Sequence, residues 1–226
     1  MLGGLLGAVL YVGLRDDTRV ANVPVIVITD IDERQYVSEQ SLLTYLQQHN
    51  CSPETMTIES IRQDKIEAAL QAHPMIRHAE CYVTVSGQVI VKVQQRVPLY
   101  KVTTGDGVYF IDTDRRIMPA WQSVTTKVME ASGNIGQRMA REELADLAEY
   151  ISDSKYWREA IRSIKVHSPK QIILVEKSGR LVQLGEIEGY KRKLAKLKTF
   201  RDTPIPDAPQ YYEVDLRYNG QVIGRK

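Results

Sequence analysis

The amino-acid sequence predicts an α+β protein in which two folded domains follow an apolar N-terminal segment. From residue 24 to residue 98, two helical patterns precede two runs in which apolar and polar residues alternate. From 99 to 226, short apolar runs are separated by Gly, Asp or Asn, which indicates a mixed α/β domain with a mainly antiparallel sheet. Because 43% of the 226 residues are hydrophobic, the chain is long enough to build two modest cores.

The apolar N-terminal segment is MLGGLLGAVLYVGL, residues 1–14, and it carries no charge. As a helix it would span about 21 Å, short of the roughly 30 Å of a bilayer core, so we expect the second half of a transmembrane anchor whose first half is missing from this sequence. The polar stretch 15–23 is then a linker. A buried helix is the alternative, which the four glycines disfavour, and a signal peptide would need a basic start.

The first domain begins with a predicted strand, VIVITDI. Ser38 is a good N-cap for the first helix, and Val37 and Leu42 are placed to form a hydrophobic staple around it. A second helix carries apolar residues at helical spacing until Pro74 ends it. The order strand, helix, helix, strand, strand predicts a compact module with both helices on one face of a small sheet.

The last two strands of this module are predicted to form an antiparallel hairpin. The first alternates through Cys81, Val83 and Val85, the second runs from 89 to 93, and Ser86-Gly87 supplies the turn. Residues 89–93 are a candidate edge for contact with another protein.

The second domain opens with three short strands, LYKVTT, VYFID and RIMPA, and a weaker strand that Gly133-Asn134 ends. One helix then places five apolar residues on one face: Ala140, Leu144, Leu147, Ala148 and Ile151. A meander of IRSIKVHS, QIILVEKS and RLVQLG leads to a second helix with a basic outer face, YKRKLAKLK. At the C-terminus, YYEVDLRY and QVIGRK are joined by Asn219-Gly220, the strongest short hairpin signal.

The motifs give no indication of catalysis, a cofactor or a metal. The four histidines lie in separate elements, a Ser152-x-x-Lys155 match is expected by chance, and Asp112-x-Asp114 is typical of a turn. Cys51 and Cys81 fit no metal spacing, and two free thiols are favoured over a disulfide. A formal charge of +2, with acids and bases interspersed, gives no reason to expect nucleic acid as a partner. The basic helix is interpreted as a solvated face, with an acidic partner or lipid head groups as the alternative.

The first domain resembles a POTRA domain. The residues that carry the resemblance are the helix end His73-Pro74-Met75-Ile76, the Ala79-Glu80 pair that follows, and Gln95-Arg96-Val97-Pro98 after the hairpin. Met75 stands where an aromatic residue is usual.

The second domain extends this resemblance to the bacterial division proteins of the FtsQ/DivIB family. Its matching segments are Tyr109-Phe110-Ile111-Asp112, Ala131-Ser132-Gly133, Leu184-Gly185 with Lys193-Leu194 and Leu197, and Val214-Asp215-Leu216-Arg217-Tyr218.

The resemblance implies a non-enzymatic scaffold of the septal cell-wall machinery. Its expected partners are the coiled-coil proteins FtsB/DivIC and FtsL, and through them the septal peptidoglycan synthase. It also implies a single-pass protein of the cell inner membrane, with its soluble domains on the periplasmic side and the POTRA domain near the membrane.

The expected binding site is the C-terminal hairpin, because an edge strand offers unpaired N–H and C=O groups to a partner strand. By resemblance, Arg217 would meet an acidic residue of the partner, and Lys170 is a looser basic candidate. The predicted partner-binding residues are Arg217, Tyr218, Gly220, Gln221, Val222, Ile223, Gly224, Arg225 and Lys170. The alternative is that Arg225 and Lys226 only protect the edge from aggregation.

Two other functions remain open. Another POTRA-containing protein, of outer-membrane assembly or secretion, would usually carry tandem modules before a long barrel. A peptidoglycan-modifying enzyme is the second alternative.

Overall fold

The computed structural model describes residues 21–30, 36–120, 128–204 and 211–226. The chain divides into two compact units, the N-terminal unit up to Gln95 and the C-terminal unit from Arg96 onward, three residues before the predicted boundary. The predicted anchor 1–14 and residues 15–20 of the predicted linker lie outside the described residues. Among the helices that are described, none has the length and apolar character needed to cross a bilayer.

The N-terminal unit has the predicted order of strand, helix, helix, strand, strand. Two single turns of 3₁₀-helix, Pro53–Thr55 and Ile58–Ser60, lie between its helices. Its elements are β1 (Val25–Ile28), α1 (Glu39–Gln48), α2 (Gln63–Ala72), β2 (Ile76–Val83) and β3 (Val89–Gln95).

The sheet of this unit has the order β1-β3-β2. β1 runs parallel to β3, with Val25 opposite Ile90, and β2 is antiparallel to β3. The suggestion that residues 89–93 form a contact edge is therefore wrong. β3 is the central strand because β2 pairs with one of its sides and β1 pairs with the other.

Local sequence explains where α1 begins. Ser38 is its N-cap and forms a capping box with Ser41, in which each side chain accepts from the other residue's backbone N–H. Leu42 and Leu46, one turn apart, are fully buried. The helix thus buries the apolar stripe that its spacing predicts.

The His-Pro at the end of α2 fixes the start of the hairpin. His73 is largely buried, and its Nδ1 accepts the backbone N–H of Met75 at 3.1 Å. Burial, with a smaller effect from His49, lowers the pKa of His73, so that its ring stays neutral and able to accept. Met75 is fully buried, so the position where an aromatic residue is usual is a core position.

The hairpin itself turns earlier than predicted. β2 ends at Val83, and Val85, expected to point into the core, is 92% exposed. The reason is that Thr84 binds both ends of the turn: its Oγ1 accepts from Gln88 N–H, and its carbonyl accepts from Gly87 N–H. Gly87 has a φ of +85°, which glycine adopts without strain.

The C-terminal unit combines one large sheet with four helices in its described residues. Its elements are β4 (Pro98–Thr104), β5 (Gly107–Asp112), β6 (Ile117–Pro119), β7 (Met129–Gly133), α3 (Gln137–Arg141), α4 (Glu143–Asp153), α5 (Lys155–Ala160), β8 (Ile161–Ser168), β9 (Gln171–Glu176), β10 (Leu181–Gly185), α6 (Tyr190–Asp202), β11 (Glu213–Asp215) and β12 (Ile223–Arg225).

These nine strands form one sheet in the order β12-β11-β10-β9-β8-β7-β4-β5-β6. Five of the eight pairings between neighbouring strands are antiparallel, so the predicted α+β class with a mainly antiparallel sheet is confirmed. The two end strands of this sheet are β12 and β6.

The helix predicted from Ala140 to Ile151 is two helices. The backbone breaks at Glu142, whose φ of −107° and ψ of −100° are not helical, so Ala140 belongs to α3 and the other four apolar residues to α4. All five are nevertheless buried in one core. The short helix α5, capped by the Ser154 side chain, was not predicted.

The two residues of the Gln95-Arg96 motif stabilise different units. In the N-terminal unit, Gln95 Oε1 accepts the backbone N–H groups of Tyr36 and Val37 at 2.7 and 3.2 Å. In the C-terminal unit, Arg96 forms a buried ion pair of 2.8 Å with Asp112. Asp112 also accepts two backbone N–H groups of the turn that follows β5, which confirms the interpretation of Asp112-x-Asp114 as a turn.

We predict that Gly133→Ala destabilises the C-terminal unit by more than about 3 kcal/mol. Gly133 has a φ of +116°, and a Cβ there would lie 2.1 Å from the carbonyl oxygen of Val166. Urea unfolding followed by tryptophan fluorescence measures the effect, because both tryptophans belong to this unit.

Gly105→Ala is the matched control. A Cβ at Gly105 has no heavy atom within 4 Å, and we expect a change within about 0.5 kcal/mol. Equal effects of the two substitutions would contradict the packing argument.

Candidate functional site

The candidate site is the end strand β12 with the loop and helix that hold it. As expected for an edge strand, β12 pairs with β11 on one side and ends the nine-stranded sheet. Ile223 and Arg225 are exposed and Gly224 is half-buried. An exposed strand of this kind presents backbone donors and acceptors to an added strand.

The hairpin that ends in β12 is shorter than predicted. Its strands have three residues each, with Val214 opposite Gly224, and residues 216–222 form the connecting loop. A two-residue Asn219-Gly220 turn would instead place Arg225 opposite Val214. The observed register is favoured because Gly224 lies beneath the Tyr211 ring, where a Cβ would be 2.8 Å from that ring.

The loop 216–222 is held by Lys196 of α6, a residue that the sequence patterns did not single out. Its ammonium donates to three backbone carbonyls, those of Leu216 at 3.2 Å, Tyr218 at 2.7 Å and Gln221 at 3.3 Å. The carbonyl dipoles converge on one charge, and a charged donor makes stronger hydrogen bonds than a neutral one. Lys196 therefore sets the shape of the loop that leads into β12.

Two buried carboxylates lie on β11, directly beside β12. Asp215 is fully buried and binds Arg217 through side-chain and backbone hydrogen bonds, among them a contact of 2.9 Å between Oδ1 and the arginine Nε. Glu213 is also buried, with its Oε1 at 2.9 Å from Arg225 Nη1 and its Oε2 accepting from the Gln183 side-chain amide. Each arginine thus compensates a charge of its own sheet.

The pKa of Asp215 reflects this arrangement. Burial alone raises it, but the side-chain and backbone hydrogen bonds from Arg217 outweigh burial and hold the pKa below its usual value. The carboxylate is consequently charged near neutral pH. Arg217 already pairs with Asp215 of its own sheet, and its side chain keeps 44% exposure, so the predicted contact with an acid of the partner stays a prediction.

Gly185 explains the Leu-Gly pair at the end of β10. Its φ is +74°, and a Cβ would lie 2.7 Å from Cγ of Arg217. The absence of a side chain lets the arginine stem lie across the strand end and reach Asp215. Leu184, the other half of the pair, is fully buried.

The other predicted site residues divide into two groups. Tyr218 is 49% exposed, and Gly220 turns the loop with a φ of +72°. Lys170 lies apart from the hairpin, in the turn between β8 and β9, and its Nζ is 3.6 Å from Glu186. Glu186 follows Gly185, which lies against the Arg217 stem. Lys170 and Arg217 are therefore both near the C-terminal tip of β10.

The surface around β12 combines apolar and basic groups. Tyr212, Tyr218 and Ile223 are exposed, and Arg225 and Lys226 add positive charge beside them.

Within the described ranges, no group of three or more His, Cys, Asp or Glu side chains is arranged to hold a metal. Cys51 and Cys81 belong to the N-terminal unit and are free thiols, and burial, followed by the charge of Glu67, raises the pKa of Cys81 to about 11.

We predict that Lys196→Met loosens β12, because the three loop carbonyls lose their donor. The loss should reach about 2–3 kcal/mol of local stability, and amides in the last strand should exchange correspondingly faster in hydrogen-exchange measurements. Lys193→Met is the control on the same helix. Lys193 donates to one carbonyl, that of Glu186, so the last strand should keep its protection. Unchanged exchange in Lys196→Met would remove this role from Lys196.

We predict that Arg217→Met lowers stability at pH 7 by about 1–2 kcal/mol, less than for a fully buried pair because Arg217 is 44% exposed. A depressed aspartate pKa stabilises the fold above the unfolded value of about 3.9, and this stability is lost as pH falls through the folded value. Without Arg217, burial dominates and raises the pKa of Asp215, so the charged carboxylate costs stability near neutral pH and its protonation relieves that cost. Because the variant starts from lower stability, acid unfolding should begin at higher pH, and its difference from the wild type should shrink once Asp215 is protonated in both.

Arg192→Met is the control for this acid titration. Arg192 is exposed and has one hydrogen bond of 3.4 Å, to Asn219. Circular dichroism from pH 7 to pH 2 should separate the two variants. Coincident curves would show that Arg217 does not stabilise the charged form of Asp215.

Two family models match this chain. One is described as FtsQ/DivIB, C-terminal related, and covers residues 97–225, more than half of the chain; the other is described as a POTRA-like domain and covers residues 19–94. No curated protein matches the chain closely enough to be counted as a relative. The motifs that suggested this family lie where the fold needs them: Arg217 beside Asp215, Gly185 beneath Arg217, and Gly133 against β8. The chain is a member of the FtsQ/DivIB family of bacterial division proteins, with a POTRA-like domain followed by the family's C-terminal domain.

Proposed function

We propose that this protein is a non-enzymatic scaffold of the division machinery that binds a partner by strand addition at β12. The observation that carries the proposal is the position of β12 at the end of the sheet in the domain that matches the family. An added strand would extend the sheet through main-chain hydrogen bonds, and side chains on either side would give specificity.

The exposed groups suggest the chemistry of the partner segment. Ile223 and Arg225 are two positions apart in β12, so their side chains point to the same face of the sheet. An apolar residue beside Ile223 and an acid beside Arg225 would complement them. Arg225 retains 52% exposure beside Glu213, so it can contact a second acid.

The proposed partners are the coiled-coil division proteins FtsB/DivIC and FtsL, which would connect this scaffold to the septal peptidoglycan synthase. In this proposal the protein is held in the inner membrane by an N-terminal anchor, with both units on the periplasmic side. Tyr218, Gly220, Gln221 and Val222 would then shape the entry to the binding edge, and Lys170 would add charge at the same end of the sheet.

A concave surface of the C-terminal unit is the place to look for a catalytic site, as the enzyme alternative requires. This surface lies between α5, the β9–β10 turn and α6, and its acidic groups are Glu159, which is exposed, and Glu176. Glu176 is buried and paired with Arg201 at 3.0 Å and Arg180 at 3.8 Å. Such compensation is typical of a structural ion-pair network, so this surface does not favour a hydrolase.

The decisive test compares the two end strands of one sheet. Ile223 on β12 and Ile117 on β6 are 38% and 36% exposed, so Ile223→Ser and Ile117→Ser are matched substitutions. In calorimetric titration with the periplasmic segment of the cognate FtsB/DivIC-like protein, Ile223→Ser should weaken binding by about 1–2 kcal/mol, because it removes an apolar contact. Ile117→Ser should bind like the wild type.

Weakening by Ile117→Ser alone would move the interface to the opposite end of the sheet. Absence of binding by a folded wild-type sample would refute the proposed function. In that case the other POTRA-containing proteins, of outer-membrane assembly or secretion, become the leading alternative.

A further inference from the structure

The N-terminal unit has an end strand of its own, β2, which is eight residues long. One side of β2 pairs with β3, and alternate residues direct their backbone N–H and C=O groups to the other side. A long end strand with free backbone groups would be a template for pairing with another chain.

Side chains of α2 occupy this outer side. Glu67 Oε1 accepts the backbone N–H of Cys81 at 2.7 Å, and Gln71 Nε2 donates to the carbonyl of Ala79 at 3.3 Å. Glu67 and Gln71 are four residues apart, so they lie on the same face of the helix, one turn after the other. We call them the edge-closing pair.

The edge-closing pair makes the contacts that a neighbouring strand would make. In a parallel pairing, one residue of the added strand donates its N–H to one carbonyl and accepts from the N–H two residues further on. Ala79 and Cys81 are separated by this spacing. A carboxylate supplies the acceptor and an amide supplies the donor, so two side chains take the place of one residue of a third strand.

We propose that Glu67 and Gln71 close the β2 edge against strand addition, and that the strand they exclude is β2 of a second copy of this chain. That second copy would pair antiparallel to β2, and an antiparallel neighbour centred on Ala79 needs the same Ala79 carbonyl and Cys81 N–H that the edge-closing pair occupies. The charge pattern of β2 supports a second copy. In an antiparallel pair centred on Ala79, His78 of one copy faces Glu80 of the other, and these two side chains already pair within one chain at 3.2 Å. Cross-strand partners of this kind stabilise an antiparallel sheet.

This device would act independently of the proposed function of β12. It would prevent self-association through β2 while β12 stays available. The proposal therefore stands or fails without any division partner in the experiment.

The test uses the double variant Glu67→Ala/Gln71→Ala in a chain of residues 21–226, which holds both units. Alanine is the best helix former, so α2 itself should not be weakened. The Cys81 amide should exchange with solvent at least about tenfold faster, because its acceptor is gone. In sedimentation equilibrium, self-association should strengthen by about tenfold or more, which corresponds to one added set of strand contacts.

Two further variants separate edge closure from general destabilisation. Gln63→Ala/Asp64→Ala removes one glutamine and one acid from the same helix, where Asp64 pairs with Arg62 on the exposed surface, and it should behave as wild type. Glu67→Gln keeps an acceptor oxygen and should also retain slow exchange at Cys81.

Unchanged exchange at Cys81 in the double variant would overturn the closure. Faster exchange without stronger self-association would overturn the second copy as the excluded strand. If the double variant does not fold, the single variant Glu67→Ala carries the same two measurements. Self-association that also rises in Gln63→Ala/Asp64→Ala would show a charge effect in place of edge closure.

Discussion

Much of this structure depends on one constraint: the backbone N–H and C=O groups on the open side of an edge strand need hydrogen-bond partners. In the N-terminal unit, Glu67 and Gln71 supply them to β2 from a neighbouring helix. In the C-terminal unit, β12 is placed by Lys196 through the loop and by Arg225 opposite Glu213. The backbone groups of β2 are thus covered by side chains of its own unit, whereas β12 lies exposed at the end of its sheet.

The features that sequence predicts well here are local. The Ser38 cap, the apolar spacing of α1 and α2, and the alternation in β2 and β3 each depend on residues within one element, and the structure confirms them. The features that it misses depend on distant residues. The turn at Asn219-Gly220 has a strong local signal, yet the Tyr211 ring over Gly224 and the carboxylate opposite Arg225 select another register. Lys196 looked like one cation among many on a solvated helix, because its three acceptors lie on a segment twenty residues later.

Charged residues of the C-terminal unit stabilise its own sheet, a role that the sequence pattern does not show. The guanidinium of Arg217, a predicted partner-binding residue, binds buried Asp215 of its own sheet, and Gly185 leaves room for its stem. A motif shared across a family can therefore preserve the platform beneath an interface.

The parallel pairing of β1 with β3 has a consequence for the order of folding. β1 is made first, but its neighbour in the sheet is the last strand of the unit, with Val25 opposite Ile90. The β2–β3 hairpin is local and can form quickly, whereas closing the chain between β1 and β3 carries the larger entropic cost. During synthesis, the alternating Val-Ile-Val-Ile of β1 stays without its strand partner until Gln95 has emerged. During this interval the nascent chain exposes the apolar side chains of β1 beside its unpaired backbone groups, which is the kind of surface that chaperones bind.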